Sequence, residues 1–195
     1  MHGETAKRIQ GIMVISLEEI LMKLDAEERS FVSSLIDKDP LTGIYNRRKF
    51  DRDIELLVAL YRRSSKGSGL LIIDIDHFKQ FNDEHGHQKG DQILRIVSKC
   101  IGRSLRDYDR IHIYRYGGEE FVVIIPDIST DDVVKIGERI RRNVKKRCPV
   151  TISVGISHYK EISDNLQSLI LHADHALYEA KRKGRDRVEV YSHNS

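Results

Sequence analysis

Apolar positions along the chain change spacing several times, and each change marks an element. Leu17, Leu21, Leu24, Phe31 and Leu35 recur at alternating steps of four and three, with Glu28 as one polar break. That is the a/d seam of a short helix, which either packs on its own domain or pairs with a second copy. Pro40 and Gly43 then punctuate a loop. Asn46 is placed to cap a helix in which Phe50, Ile54, Leu57 and Leu60 or Tyr61 follow the helical period. The run LLIIDID over 70–76 is nearly all apolar and β-rich, which predicts a buried strand ending in aspartates. Two helices follow, the second with Ile93, Ile96, Val97 and Ile101 inward. RIHIYRY and EFVVIIP read as two strands of a hairpin, with Gly117 and Gly118 supplying the positive φ of a tight turn. A helix capped by Ser129 or Thr130 comes next, then the strand PVTISVGIS, a helix ending at Gly184 and a last strand, DRVEVY.

From the 70–76 strand onward the order is β-α-α-β-β-α-β-α-β. This predicts an α/β (α+β) domain with a ferredoxin-like, palm-type central sheet, flanked by helices and extended by an added strand. Residues 1–38 read as an N-terminal helical extension, a segment for dimerising or relaying signals, and residues 39–195 as the main domain.

Composition narrows the class. The chain has 195 residues, of which 39% are hydrophobic, so it can bury a core. Charged residues make up 32% with a net charge of only +3, which gives no concentrated basic face for nucleic acid. Cys100 and Cys148 are the only cysteines, with neither metal-type spacing nor a disulfide framework, so a reducing, cytoplasmic setting is expected. No apolar run approaches the roughly 20 residues of a membrane span, and no cleavable signal pattern is present. His172 and His175 share a helix face, but a pair alone does not make a metal site.

The chemistry concentrates in carboxylates. Asp74 closes a buried strand, and Glu119 and Glu120 open the second hairpin strand. In a ferredoxin-like sheet these strands can be neighbours. Like charges buried together tolerate each other only with a cation or a proton between them. A hard divalent ion suits such oxygens and leaves room for substrate phosphates. Each piece also has a plain reading: paired acids after a turn are commonly a solvated surface, and a GG pair is commonly only a turn.

Six ordered motifs decide further: DPLTGIYNRR at 39–48, DIDHFKQFND at 74–83, HGHQKGD at 85–91, RYGGEEF at 115–121, TISVGIS at 151–157 and ADHALYEAKRKGRDR at 173–187. Together they resemble the GGDEF family, the diguanylate cyclases, over about three quarters of the chain. The resemblance implies condensation of two GTP into cyclic di-GMP and two pyrophosphates, between two GTP-loaded domains of a homodimer. Each 3′-hydroxyl attacks the other nucleotide's α-phosphate. It assigns the metal, Mg²⁺ or Mn²⁺, to Asp74, Glu119 and the Ile75 carbonyl, with Glu120 near the attacking hydroxyl. Asn82 and Asp91 would read guanine, and Lys79, Lys181 and Arg185 would hold phosphates. Gly117 and Gly118 would let the backbone approach the nucleotide. Phe78 and His87 join the substrate-binding set, although Phe78, Phe81, Asp76 and the HGH histidines do mainly structural work in this reading. An upstream sensor domain or partner is compatible with it.

Two departures matter. The R-x-x-D product-inhibition motif expected before the GG is missing at its usual spacing, where Tyr108 and Ile111 stand. Arg106 and Asp109 form one two residues upstream, so either the motif is displaced by a longer strand or the match is accidental. Asp186 replaces a frequent asparagine. Two other functions compete: a degenerate domain that binds GTP or cyclic di-GMP and signals through a partner, and a related nucleotidyl cyclase using ATP or one of each nucleotide. The intact acids argue against the first, and Asp91 against the second.

Overall fold

The computed structural model describes residues 8–9, 12–13, 22–61, 67–105, 112–159 and 166–192. Met1–Lys38 and Asp39–Ser195 form two compact units.

In the first unit, β1 (Arg8–Ile9) pairs antiparallel with β2 (Ile12–Met13), and α1 spans Ala26–Asp37. The expected seam does not run as one helix through residue 24. Asp25 is extended and caps α1 instead: its carboxylate accepts from Glu28 N–H at 2.8 Å, and the Glu28 carboxylate accepts from Asp25 N–H at 3.1 Å. The polar break in the seam is therefore half of a capping box. Phe31 and Leu35 are exposed on α1. Leu17 and Leu21 lie outside the described residues.

The second unit begins with β3 (Tyr45–Asn46) and α2 (Arg47–Tyr61), where Asn46 Oδ1 accepts from Lys49 N–H at 3.0 Å. Then come β4 (Ser68–Ile75), α3 (Phe78–His85), α4 (His87–Ser104), β5 (His112–Arg115), β6 (Glu120–Pro126), α5 (Thr130–Arg147), β7 (Ile152–Tyr159), α6 (Leu166–Arg182) and β8 (Val188–Val190). The sheet order is β3-β5-β6-β4-β7-β8. Its middle, β5-β6-β4-β7, is the antiparallel ferredoxin-like arrangement, and β3 and β8 add a parallel strand at each edge. Ser129 caps α5, its hydroxyl accepting from Asp132 N–H at 3.2 Å. No helix among the described residues is long and apolar enough to cross a membrane.

β4 is buried along its whole length, so both faces of the sheet are covered. On one face Leu71, Ile73, Ile75, Phe121 and Val123 pack with Val97 and Ile101 of α4 and Ile136 and Ile140 of α5. On the other, Leu70, Ile72, Val122 and Tyr114 pack with Phe50 of α2 and Ala173 and Leu177 of α6. The alternation along β4 sends Ile72 one way and Ile73 the other, as pleating requires.

The β5–β6 connection differs from the expected tight turn. Neither Gly117 nor Gly118 takes a left-handed φ. Arg115 opposes Phe121, and Tyr116 N–H donates to the Glu120 carbonyl at 2.8 Å, so the connection is a longer loop that makes no demand for positive φ.

α6 can lie on the sheet only because residue 155 has no side chain. A Cβ on Gly155 would collide with the Ala173 carbonyl and stand 2.7 Å from Leu177 Cα, both backbone atoms of α6. Gly155→Ala is predicted to push α6 off the sheet at a cost of about 2 kcal/mol or more. Thermal unfolding followed by circular dichroism should show a midpoint lower by several degrees. An unchanged midpoint would show that α6 does not depend on this approach.

Candidate functional site

The site grows from the register of two strands. Asp74, near the end of β4, stands directly opposite Glu120, at the start of β6. Residues opposite one another in an antiparallel pair put their side chains on the same face. Ile75 N–H also donates to the Glu119 carbonyl at 3.4 Å, so both glutamates are tied to the end of β4. Burial pushes the Asp74 carboxyl above its ordinary value, with Asp76 adding to the rise. Lys181 opposes it with an ammonium 2.8 Å from Asp74 Oδ2, and Arg185 also lowers it. Glu120 is pushed up as well, first by burial and then by the Asp74 charge, with Glu119 and Asp174 adding to the rise. Asp74, Glu119, Glu120, Lys181 and Arg185 thus share one electrostatic neighbourhood.

The loop carrying the glutamates is pinned from behind. The Arg115 guanidinium donates to both Asp39 carboxylate oxygens at 3.1 Å and to the Gly118 carbonyl at 2.8 Å. Burial raises the Asp39 carboxyl, but bonds from Thr42 and the Arg115 charge outweigh it and hold the group below its ordinary value. This joins the Asp of DPLTG to the Arg of RYGGEEF. A Cβ on Gly117 would lie 2.7 Å from Glu120 Oε2, the far end of a side chain that can turn aside. The carboxylate folds back over that residue, while a Cβ on Gly118 would meet open space.

Asp76, two residues beyond Asp74, faces a different set of partners. It accepts from the Thr151 hydroxyl at 2.6 Å, the Ser153 hydroxyl at 2.6 Å and Asp186 N–H at 3.1 Å. The Asp186 carboxylate in turn receives Arg141 and Lys145 of α5, each at 2.6 Å. Arg185 and Asp186 both hold positive φ, so this clamp fixes a strained turn beside Lys181. Asp76 therefore joins the end of β4, the start of β7 and the turn after α6.

The helical hairpin supplies another wall. Asn82 on α3 and Asp91 on α4 are both half-buried. Asn82 Oδ1 is buried without a hydrogen-bond partner. It rests against Gly90, where any Cβ would overlap it and would come within 3.2 Å of Phe78. A buried polar atom left without a partner costs about 1–3 kcal/mol, which makes it a candidate for ligand contact.

The other expected site residues fall in several places. Phe78 is buried in the core, while Lys79 and His87 are exposed on the first turns of α3 and α4. His172 stacks on Tyr191 with ring centroids 3.8 Å apart. Arg106 and Asp109 lie outside the described residues. Sequence reading missed Asp174, one helical face of α6 away from Lys181 at i, i+7; that spacing was the available signal. It also missed the Thr151–Ser153–Asp186 clamp, whose members are remote in sequence.

The donor set fits a hard divalent cation. Asp74 and the two glutamates offer carboxylate oxygens that repel one another, and a cation relieves that strain. Among the described residues no three His, Cys, Asp or Glu side chains are grouped so as to hold a metal ion by themselves. A cation here would therefore need backbone oxygen or ligand oxygens as well, the usual Mg²⁺ pattern.

The raised carboxyls carry a pH signature. Asp74 and Glu120 bind protons more tightly folded than unfolded. The stability they cost is absent below the ordinary carboxylate range and grows as pH rises through the window above it. Glu120→Gln removes its share of that repulsion. Without metal or nucleotide, it should melt a few degrees higher than wild type at pH 7 and at the same temperature near pH 4. A lower midpoint at neutral pH would mean that the Glu120 charge is not strained.

Comparison with known proteins agrees with this arrangement. The family described as "Diguanylate cyclase, GGDEF domain" matches residues 36–187. The diguanylate cyclase VdcA of Vibrio cholerae is 41% identical over 161 residues, covering 77% of this chain and 45% of the relative. The diguanylate cyclase DgcP of Pseudomonas aeruginosa is 36% identical over 202 residues, covering 96% of this chain and 29% of the relative. The chain thus spans less than half the length of either. Among solved structures, the coiled coil and GGDEF domain of DgcB from Caulobacter crescentus, in complex with c-di-GMP, superposes with a TM-score of 0.78 at 34% identity. That match covers 84% of this chain and 90% of the other. The motifs, the sheet order and these matches place the chain in the GGDEF domain family.

Proposed function

We propose that the chain is a diguanylate cyclase: it condenses two GTP into cyclic di-GMP and two pyrophosphates, each nucleotide held by one copy of residues 39–195. The observation that carries this reading is the Asp74–Glu120 register, which sets like-charged, half-desolvated acids together at the end of β4. Family membership and the relatives described above support it.

Each residue has a role by its chemistry. Asp74, Glu119 and the Ile75 carbonyl hold a divalent cation, Mg²⁺ or Mn²⁺. Bound there, the cation neutralises triphosphate charge and favours departure of pyrophosphate. Glu120 accepts or orients the proton of the 3′-hydroxyl. Burial and the Asp74 charge raise its affinity for protons, which strengthens it as a base. Lys181 exchanges its Asp74 partner for phosphate oxygens, and Lys79 and Arg185 add positive charge there. Gly117 and Gly118 keep the loop thin beside the nucleotide.

Guanine is read by Asn82 and Asp91. A carboxylate accepts from guanine N1–H and the exocyclic amine, a donor pattern adenine lacks. The unpartnered Asn82 Oδ1 supports a polar ligand on that side. Phe78 shapes this wall from the core, and His87 stands at the start of α4. Residues 1–38 raise the rate at which two domains meet, through the exposed Phe31 and Leu35 of α1. An upstream sensor or partner would act through the same segment, with the reaction taking place in the cytoplasm.

The test is direct. Incubated with GTP and Mg²⁺, the chain should yield cyclic di-GMP, resolved by chromatography. Glu120→Ala should lower the rate by a hundredfold or more. Asp91→Ala should weaken GTP binding at least tenfold while changing ATP binding little. GTP binding without product at high protein concentration would favour a receptor instead. Product from ATP at a comparable rate would overturn the guanine assignment.

A further inference from the structure

α3 and α4 carry a second concave surface, away from the residues assigned to guanine. Phe81 and Glu84 of α3 and Lys89, Gln92 and Ile96 of α4 recur at steps of three and four, so each set shares one helix face. With residues 149–151, just before β7, they line a groove of about 710 Å³. Clefts of about 300–1,000 Å³ are the size that holds small ligands. None of Asp74, Asn82, Asp91, Glu119 and Glu120 lines this one.

The groove has an apolar floor. Ile93 and Val150 belong to the core, Phe81 and Ile96 pack against it while staying partly exposed, and Pro149 completes the wall. His85 stacks on Phe81 with ring centroids 4.5 Å apart and planes 11° apart, so the lining offers a flat ring surface. The charged groups around this floor are not equally available. Gln80 Nε2 donates to the Glu84 carboxylate at 2.8 Å, and His85 Nδ1 stands 4.0 Å from it. Asp76, which also lines the groove, is satisfied by Thr151, Ser153 and Asp186 N–H. Lys89 is exposed and has no ion-pair partner among the described residues. His77 joins the lining from a left-handed turn at φ 56, a conformation that a non-glycine residue keeps only when its surroundings fix it.

We propose that this groove is a second ligand site, which takes a small planar aromatic acid with its rings on the floor and its anionic group at Lys89. Removal of ring surface from water drives the binding, and the available ammonium selects the anion. The stacked Phe81–His85 pair suits a flat ring better than a flexible chain. A cationic ring would meet only Glu84, whose carboxylate is already engaged by Gln80. The site needs neither GTP nor turnover, so it stands apart from the cyclase reading.

The test uses the full chain without nucleotide and 2-naphthoate as the probe. Isothermal titration calorimetry should show saturable binding at one equivalent. The uncharged 2-naphthamide should bind about fivefold more weakly. Lys89→Ala should weaken 2-naphthoate binding by about the same factor and leave 2-naphthamide unchanged. Ile96→Glu sets a carboxylate on the floor and should remove binding of both. If Ile96→Glu does not fold, Lys89→Ala, a substitution on the surface, still decides. The Glu120→Ala protein saturated with GTP and Mg²⁺ should still take one equivalent of 2-naphthoate. Binding that does not saturate, equal affinity for the amide, or unchanged 2-naphthoate affinity in Lys89→Ala would each overturn the proposal. Displacement of 2-naphthoate by GTP would overturn it too, by placing the probe in the nucleotide site.

Discussion

Asp74 and Glu120 are held opposite each other by backbone pairing, and neither strand can slip to separate them. A one-residue shift of β6 would move Phe121, Val123 and Ile125 from the α4–α5 side of the sheet to the α2–α6 side and misfit both clusters, so packing on both faces holds the register that sets the acids opposite each other. The surrounding structure is arranged around the repulsion between these acids. Lys181 supplies the nearest positive charge, Arg115 holds the loop behind the glutamates, and Gly117 leaves space for the Glu120 carboxylate. Stability is given up locally where the two acids are held together.

Separating strain from support explains why acids of one short motif behave so differently. Asp74 and Asp76 are both buried, yet the first faces another acid and a lysine while the second is satisfied by two hydroxyls and an amide. Asp76 passes its anchoring through Asp186 to Arg141 and Lys145 on α5. The turn bearing Arg185 is thereby fixed to the sheet, which prepares a positive charge near Asp74. Asp186 strengthens this link, because its carboxylate can receive two cations where an asparagine would offer one neutral oxygen.

α4 packs on α3 at its start and on α5 further along. Gly90 brings α3 and α4 close enough to bury Asn82, and Cys100 sits further along α4 against the end of α5. The chain spans less than half the length of the relatives compared.

Periodicity was enough to place most elements. The 70–76 run, the helices over 78–104 and the Ser129 cap are local consequences of apolar spacing and side-chain hydrogen bonding, which a sequence displays directly. The ordered motifs carried the family. What the pattern could not show were interactions between remote residues: Arg115 with Asp39, and Asp76 with Thr151 and Asp186. Local reasoning also misread two points. Glu28 looked like a flaw in a seam and is part of a cap, and Gly117 looked like a turn glycine and takes no left-handed φ. The sequence by itself determined which residue types and elements exist, because local spacing governs them. Only the tertiary structure decided which acid meets which cation, because that depends on strand register and helix packing across the whole sheet.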